Sequence, residues 1–244
     1  MKILLLALQF LTILPIRIKN VTPDEIGRSM IFFPVAGYLI GLLASGIFIF
    51  LGSLEIPDLA ASVIIIVSMT LITGGIHLDG LSDTADAFLS RKPKDSMLAI
   101  MRDSHAGVMG NLTVICVLLL KIAFLFSVQG YFKISALLLA CTISRWGQVF
   151  QISLFPYART EGKGKVYSDQ KNRGIFIVAS AITFFVSWAI FHSNGILLMG
   201  GAGLTAYLTG TVCARKIGGV TGDTLGASSE ILEVMVLFFM VLAG

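Results

Sequence analysis

The sequence predicts an all-α, polytopic integral membrane protein with about seven transmembrane helices and an N-terminal interfacial helix. Three observations carry this reading. Hydrophobic residues make up 56% of the 244 positions, charged residues only 13%, and mean hydropathy is +0.90. A soluble domain carries roughly 25% charged residues, so this chain cannot cover a soluble surface. Disordered, nucleic-acid-binding and soluble-enzyme classes are excluded on that ground. The apolar residues fall in long runs near the span length of about 20 residues. The basic residues also segregate: 16 of the 18 Lys and Arg fall on one side once the runs are read as spans, as the positive-inside rule requires.

The elements follow in order. Residues 3–16 are apolar but short for a span. Pro15, Arg17 and Lys19 stand where a cleavage site of small residues would follow a signal peptide. The run is read as an uncleaved interfacial helix within a cytoplasmic or interfacial segment, 1–28. Runs 31–54 and 59–76 carry no charge, 111–130 carries only Lys121, and 134–155 carries only Arg145. Runs 174–191 and 195–214 are uncharged, and 228–243 includes Glu230 and Glu233. No alternating barrel strands occur, so the spans are helices. The N-terminal segment and the loops 77–110, 152–173 and 214–227 form the positive, cytoplasmic side, and the C-terminus is placed outside. Cys116, Cys141 and Cys213 lie in apolar runs without zinc-like spacing and read as packing residues. One membrane domain, 1–244, carries its polar chemistry on one face.

That chemistry begins at His77-Leu-Asp79-Gly80-Leu-Ser-Asp83-Thr-Ala-Asp86. Asp79, Asp83 and Asp86 stand at i, i+4 and i+7, one face of a helix. Three carboxylates on one face repel each other unless a cation joins them. Oxygen ligands suit Mg²⁺ bridging to phosphate. Asp223, Glu230 and Glu233 make a second acidic face at the start of the last run. Asp223 and Glu230 are expected to complete the metal site or hold a second ion. Helix capping is the alternative for Asp223, but it does not explain acids deeper in the run.

Between these groups lies Met101-Arg102-Asp103-Ser104-His105-Ala-Gly107-Val-Met-Gly110. Its glycines precede a helix, whose N-terminal N–H groups can cradle an anion. Arg102 would add a bidentate donor. The loop around Arg159, Lys163 and Lys165 is basic and glycine-rich, without phosphate-loop spacing. It reads either as a headgroup contact or as a lid over a diphosphate. Arg145, inside a span, is expected to face a carboxylate or phosphate. His77 is a base, a metal ligand or a hydrogen-bonded support.

These groups imply phosphoryl transfer at a membrane surface. The CDP-alcohol phosphotransferase pattern fails in detail: Ile76 stands where an acid belongs, and no Ala-Arg pair follows Asp79-Gly80. An ion-coupled transporter is the rival from another class, but the span centres are nearly bare of charge.

The sequences HLDGLSDTAD at 77–86, MRDSHAGVMG at 101–110, Ser144-Arg145 and GDTLGASSE at 222–230 closely resemble the cobalamin synthase, or adenosylcobinamide-GDP ribazoletransferase, family. ALQFLTILPI at 7–16 also resembles it, and Ala87 departs from an expected glycine. The resemblance implies a Mg²⁺-dependent enzyme of the cytoplasmic (inner) membrane, with its active site on the cytoplasmic face. Such an enzyme joins adenosylcobinamide-GDP to α-ribazole or its 5′-phosphate and releases GMP. Asp79, Asp83, Asp86, Asp223 and Glu230 would then be the metal set. His77, Asp86, Arg102, Asp103 and Arg145 would be catalytic, with the general base open between His77 and an acid. Ser104, Gly107, Gly110, Arg159, Lys163 and Lys165 would bind substrate. Membrane lipid is an expected partner, nucleic acid is not, and a second copy or other cobalamin-assembly enzymes are candidates.

Overall fold

A computed structural model describes residues 1–103 and 105–243, without the side chain of Lys163. The helices are α1 (Lys2–Leu11), α2 (Pro23–Ser29), α3 (Phe33–Ser53), α4 (Asp58–Ile72), α5 (Ile76–Leu89) and α6 (Lys94–Ile100). They continue as α7 (Val108–Ser127), α8 (Lys133–Leu154), α9 (Lys163–Asp169), α10 (Arg173–Ile217) and α11 (Gly222–Leu242). Local sequence sets several starts. Thr22 and Glu25 form a capping box ahead of Pro23 on α2. Thr221 and Thr224 do the same for α11, and the Asn172 side chain caps α10. Each cap satisfies N–H groups that the first helical turn leaves unpaired.

The all-α membrane class holds, but the span count of seven is not established. Among the described residues, four helical stretches are long and apolar enough to cross a membrane, or five if the bent pair α4–α5 is taken as one span. Two local features account for the difference. Helix α8 has span length, but its inner face carries buried Arg145, Gln148 and Gln151, which lower its hydropathy. Helix α10 is interrupted at Phe191 and His192, where the backbone leaves helical φ/ψ and His192 has φ 48°. A Cβ on Gly195 would collide with the Ser187 carbonyl. In a straight helix those residues would stand ~12 Å apart, so the chain doubles back at this point. Trp146 confirms the reversal by bonding Ser180 on one arm and facing Gly203 on the other. The sequence places a short connection at 192–194, and the chain turns there.

Helix α8 is the hub, packed against α3, α10 and α11. Gly37 and Gly41 of α3 lie so close to α8 that a Cβ would strike Cys141 O in the first case and approach Leu138 Cα at 2.8 Å in the second. Small residues serve this purpose in membrane bundles, where close backbone contact replaces a hydrophobic driving force. Leu43, Phe50, Val67, Leu119 and Phe185 point outward and are about half exposed or more, as a lipid-facing belt requires. The N-terminal helix ends earlier than the 3–16 run, at Leu11. It docks on α2 and α3 through fully buried Ala7 and Leu11 and a Lys2–Glu25 ion pair of 2.7 Å.

Candidate active site

Gly74 and Gly75 adopt φ of 63° and 68°, a left-handed turn that favours glycine. The turn swings α5 89° away from α4, so α5 is a cross-piece rather than a continuation of the span. Its glycine neighbours then set how closely it meets α11. A Cβ at Gly80 would lie 2.6 Å from the Asp223 carbonyl, and one at Gly226 would lie 3.1 Å from His77 Cα. The glycines of the two acidic motifs thus allow a backbone crossing. That crossing brings Asp79 and Asp83 of α5 toward Asp223 of α11.

A cavity of about 230 Å³ opens beside this crossing. Its polar side is formed by His77, Asp79, Gln148, Tyr157, Arg159 and Asp223, and its apolar side includes Phe10, Phe33, Ile152 and Tyr167. Arg159 arrives by a short backbone pairing. Ala158 N donates to Val220 O, and Val220 N donates to Pro156 O, both at 2.8 Å. The guanidinium then meets Asp223 at 2.7 Å (Nη2 to Oδ2), while its Nε is buried without a hydrogen-bond partner among the described residues. His77 Nε2 accepts from Gln148 Nε2 at 2.8 Å, and His77 Nδ1 is buried without a hydrogen-bond partner among the described residues. The Asp83 carboxyl is pushed up to about 6, first by burial and then by the charges of Asp79, Asp223 and Asp86. Acids held this way favour a proton or a cation.

The predicted residues sort into different places. Asp79, Asp83, Asp223, His77 and Arg159 are brought together. Asp86 faces the other way: it accepts from Gly107 N at 2.6 Å and Gly110 N at 2.8 Å. The helix N-terminus read as a phosphate cradle is therefore filled by the protein's own carboxylate. A Cβ at Gly107 would lie 2.5 Å from Asp86 Oδ1, so these glycines serve α5–α7 packing. Glu230 and Arg145 are also reassigned. Glu230 is bonded to Lys121 Nζ at 2.5 Å. Lys121 also holds Glu233 at 2.5 Å, and Arg145 pairs with Glu233 and donates to Ser144 Oγ at 2.7 Å. This buried four-charge cluster lies inside the bundle, separate from the aspartate group. Spacing placed Glu230 on the Asp223 face, but a cation from another helix claimed it.

Asp103 bonds exposed His105 at 2.6 Å, and Lys165 pairs with Asp169 along α9. Arg102 is exposed. Ser104 and the Lys163 side chain lie outside the described residues. Among the described residues, no three His, Cys, Asp or Glu side chains form a metal-holding group by themselves. The five-residue metal set is therefore not assembled. Mg²⁺ commonly takes only one or two carboxylates, with water and substrate phosphate completing its shell. The raised Asp83 carboxyl, next to Asp79 and Asp223, fits that donor set. Sequence reasoning missed Gln148 and Tyr157 because each lies in an otherwise ordinary apolar or loop context. The one signal was Gln148 standing three residues after Arg145, on the same face of α8.

A family model described as cobalamin-5-phosphate synthase matches residues 3–241. A protein of Desulforamulus reducens named adenosylcobinamide-GDP ribazoletransferase is 36% identical, over 97% of this chain and 95% of its own length. Proteins with the same name from a Roseiflexus species and Acetivibrio thermocellus are 37% and 35% identical. They cover 98% of this chain, and 88% and 98% of their own lengths respectively. No solved structure matches the chain. With the motif glycines placed at the crossing that joins the acidic groups, the chain belongs to the cobalamin-5-phosphate synthase family.

Proposed function

We propose that this protein transfers the cobinamide phosphate of adenosylcobinamide-GDP to α-ribazole or its 5′-phosphate. A ribazole hydroxyl oxygen forms the new bond to the cobinamide-linked phosphorus. The bond from that phosphorus to the bridging oxygen breaks, and GMP leaves with the electron pair. The hydroxyl proton passes to a base at the cavity. The single observation that carries this reading is the meeting of Asp79, Asp83, Asp223 and Arg159 beside one cavity in a chain whose relatives bear that activity's name.

Each residue has a physical task. Arg159 offers a planar, permanently charged fork to phosphate oxygens, exchanging Asp223 for substrate as it binds. Asp79 and Asp83 would hold Mg²⁺, with substrate phosphate oxygens completing its shell. When bound, that ion would neutralise charge developing on the diphosphate. Gln148 donates its amide N–H to His77 Nε2, which leaves the proton of the neutral ring on Nδ1, so His77 is held in one orientation and can donate a hydrogen bond there but not accept a proton. The base is an acid lining the cavity, Asp79 or the Asp223 that Arg159 releases as substrate binds. The family match favours this reading over a CDP-alcohol transferase or a transporter.

Purified protein is expected to release GMP from adenosylcobinamide-GDP only when α-ribazole and Mg²⁺ are both present, without any membrane gradient. Transfer from a CDP-alcohol with release of CMP instead, or a requirement for a gradient, would sink the reading. The distribution of Lys and Arg further supports a site on the cytoplasmic face of the inner membrane. A reporter inserted at Gly164 should then be reached only from the cytoplasm. Labelling from outside would reverse the orientation.

A further inference from the structure

The cavity has two chemically distinct ends. One is the aspartate and arginine end described above. The other is walled by three aromatic rings from three separate elements: Phe10 of α1, Phe33 of α3 and Tyr167 of α9. Their centroids are 5.8 Å apart for Phe10–Phe33, 4.7 Å for Phe10–Tyr167 and 5.6 Å for Phe33–Tyr167. Leu11, Ile152 and Leu225 fill the gaps in this wall. The Tyr167 hydroxyl is engaged with Ser29. Phe33 is 1% and Tyr167 6% exposed, so the free aromatic surface of this wall is chiefly that of Phe10, backed by the other two rings, and it offers few hydrogen-bonding groups.

A second, open groove of about 650 Å³ lies on the far side of Asp79, between the end of α1, the α4–α5 turn and α7. Phe10, Ile76 and Asp79 line both spaces. Two substrates of unequal size must meet at one phosphorus, and Asp79 stands at the boundary between a small enclosed space and a large open one. Resting on the proposed activity, we infer that the enclosed cavity is the acceptor subsite. In it the aromatic wall holds the fused-ring base of α-ribazole, while the bulky corrinoid donor lies in the open groove. The wall itself selects between the two bases on offer. Guanine carries donors and acceptors around its edge, and burying them unpaired against apolar rings is costly. The methylated edge of the ribazole base carries none, so it alone suits this surface. A base seated there directs its ribose toward Asp79 and Arg159, where the hydroxyl must attack.

The test uses the full chain in detergent micelles, with α-ribazole binding measured by equilibrium dialysis in the absence of donor. Wild type is expected to bind α-ribazole but not guanosine. Phe10→Leu should weaken binding about tenfold, the value of one lost base–aromatic stack, and Tyr167→Leu, which removes the ring packed 4.7 Å from Phe10, should act in the same direction. Tyr167→Phe should recover most of what Tyr167→Leu loses. In turnover, Tyr167→Leu should raise the KM for α-ribazole and leave that for adenosylcobinamide-GDP unchanged, while Phe10, which lines both spaces, is read by α-ribazole binding without donor. Phe185→Leu, on the lipid-facing surface, controls for general aromatic loss. Because Phe10 is only partly buried, its variant reports even if Tyr167→Leu fails to accumulate. Guanosine binding that depends on Phe10, a rise in donor KM with Tyr167→Leu instead, or α-ribazole binding absent or indifferent to both residues would each overturn the assignment. Wild type that binds α-ribazole through these rings yet releases no GMP would overturn the proposed activity instead, so the two failures are distinguishable.

Discussion

Asp79→Asn is expected to lower kcat about 100-fold or more, with the protein still folded and extractable from the membrane. Removing a carboxylate that anchors a charge-neutralising ion forfeits several kcal/mol of transition-state stabilisation, and each 1.36 kcal/mol is a factor of ten. Asp83→Asn should act in the same direction. The measurement is GMP release at limiting Mg²⁺, where a defect of metal affinity is partly recovered by excess Mg²⁺. Asp95→Asn, in the first turn of α6, is the silent control. Asp83 adds a stability arm with a definite sign. Its folded carboxyl titrates near 6, above the ordinary value of about 3.9. The folded state keeps this proton after the unfolded state has released it. In Mg²⁺-free buffer, stability should therefore fall between about pH 4 and 6 and level off above. Asp83→Asn should flatten that slope and leave the metal-free protein more stable at neutral pH. Full activity of Asp79→Asn at limiting Mg²⁺, or a variant that fails to accumulate, would assign the acids to structure instead.

Glu233→Gln is expected to destabilise the bundle by about 3–5 kcal/mol, the cost of leaving a buried charge uncompensated. Glu233 is 2% exposed and Arg145 is 1% exposed. The cluster of Lys121, Arg145, Glu230 and Glu233 is neutral as it stands, and removing Glu233 leaves one positive charge inside it. The double variant Arg145→Met/Glu233→Leu restores neutrality, because Lys121 and Glu230 still pair. It should regain most of the lost stability in an unfolding titration. A double variant less stable than Glu233→Gln would contradict this account, since Arg145 would then be needed for something beyond pairing. Activity separates the roles further. If Arg145 only holds Glu233, the double variant should keep turnover once folded, whereas direct contact with phosphate would abolish it.

Much of the architecture was legible because a membrane span is a local property. A run such as 31–54 or 195–214 declares itself by composition, since every residue along it must satisfy the same solvent. The break near His192 was legible for the same reason: apolar runs on both sides were each long enough alone. Family membership was equally accessible, because HLDGLSDTAD and GDTLGASSE are continuous strings. Helix α8 was legible as the run 134–155, but its surroundings were not, because what it touches is protein. Its Arg145, Gln148 and Gln151 face inward, which hydropathy cannot express.

Within the site, helical spacing puts the acids at i, i+4 and i+7 near one face of α5, and the glycines beside them permit close approach. It could not determine which neighbour each acid would meet. Only the tertiary structure decided that Asp86 caps α7 through Gly107 and Gly110, while Asp79 and Asp83 turn toward Asp223. Only it paired Glu230 with Lys121, 109 residues away in the chain, and delivered Arg159 to Asp223 through the bridge at Val220. The physical reason is that helical periodicity fixes direction around one axis. The partner of a charge depends on how several axes cross, and here glycine contacts between distant helices set those crossings.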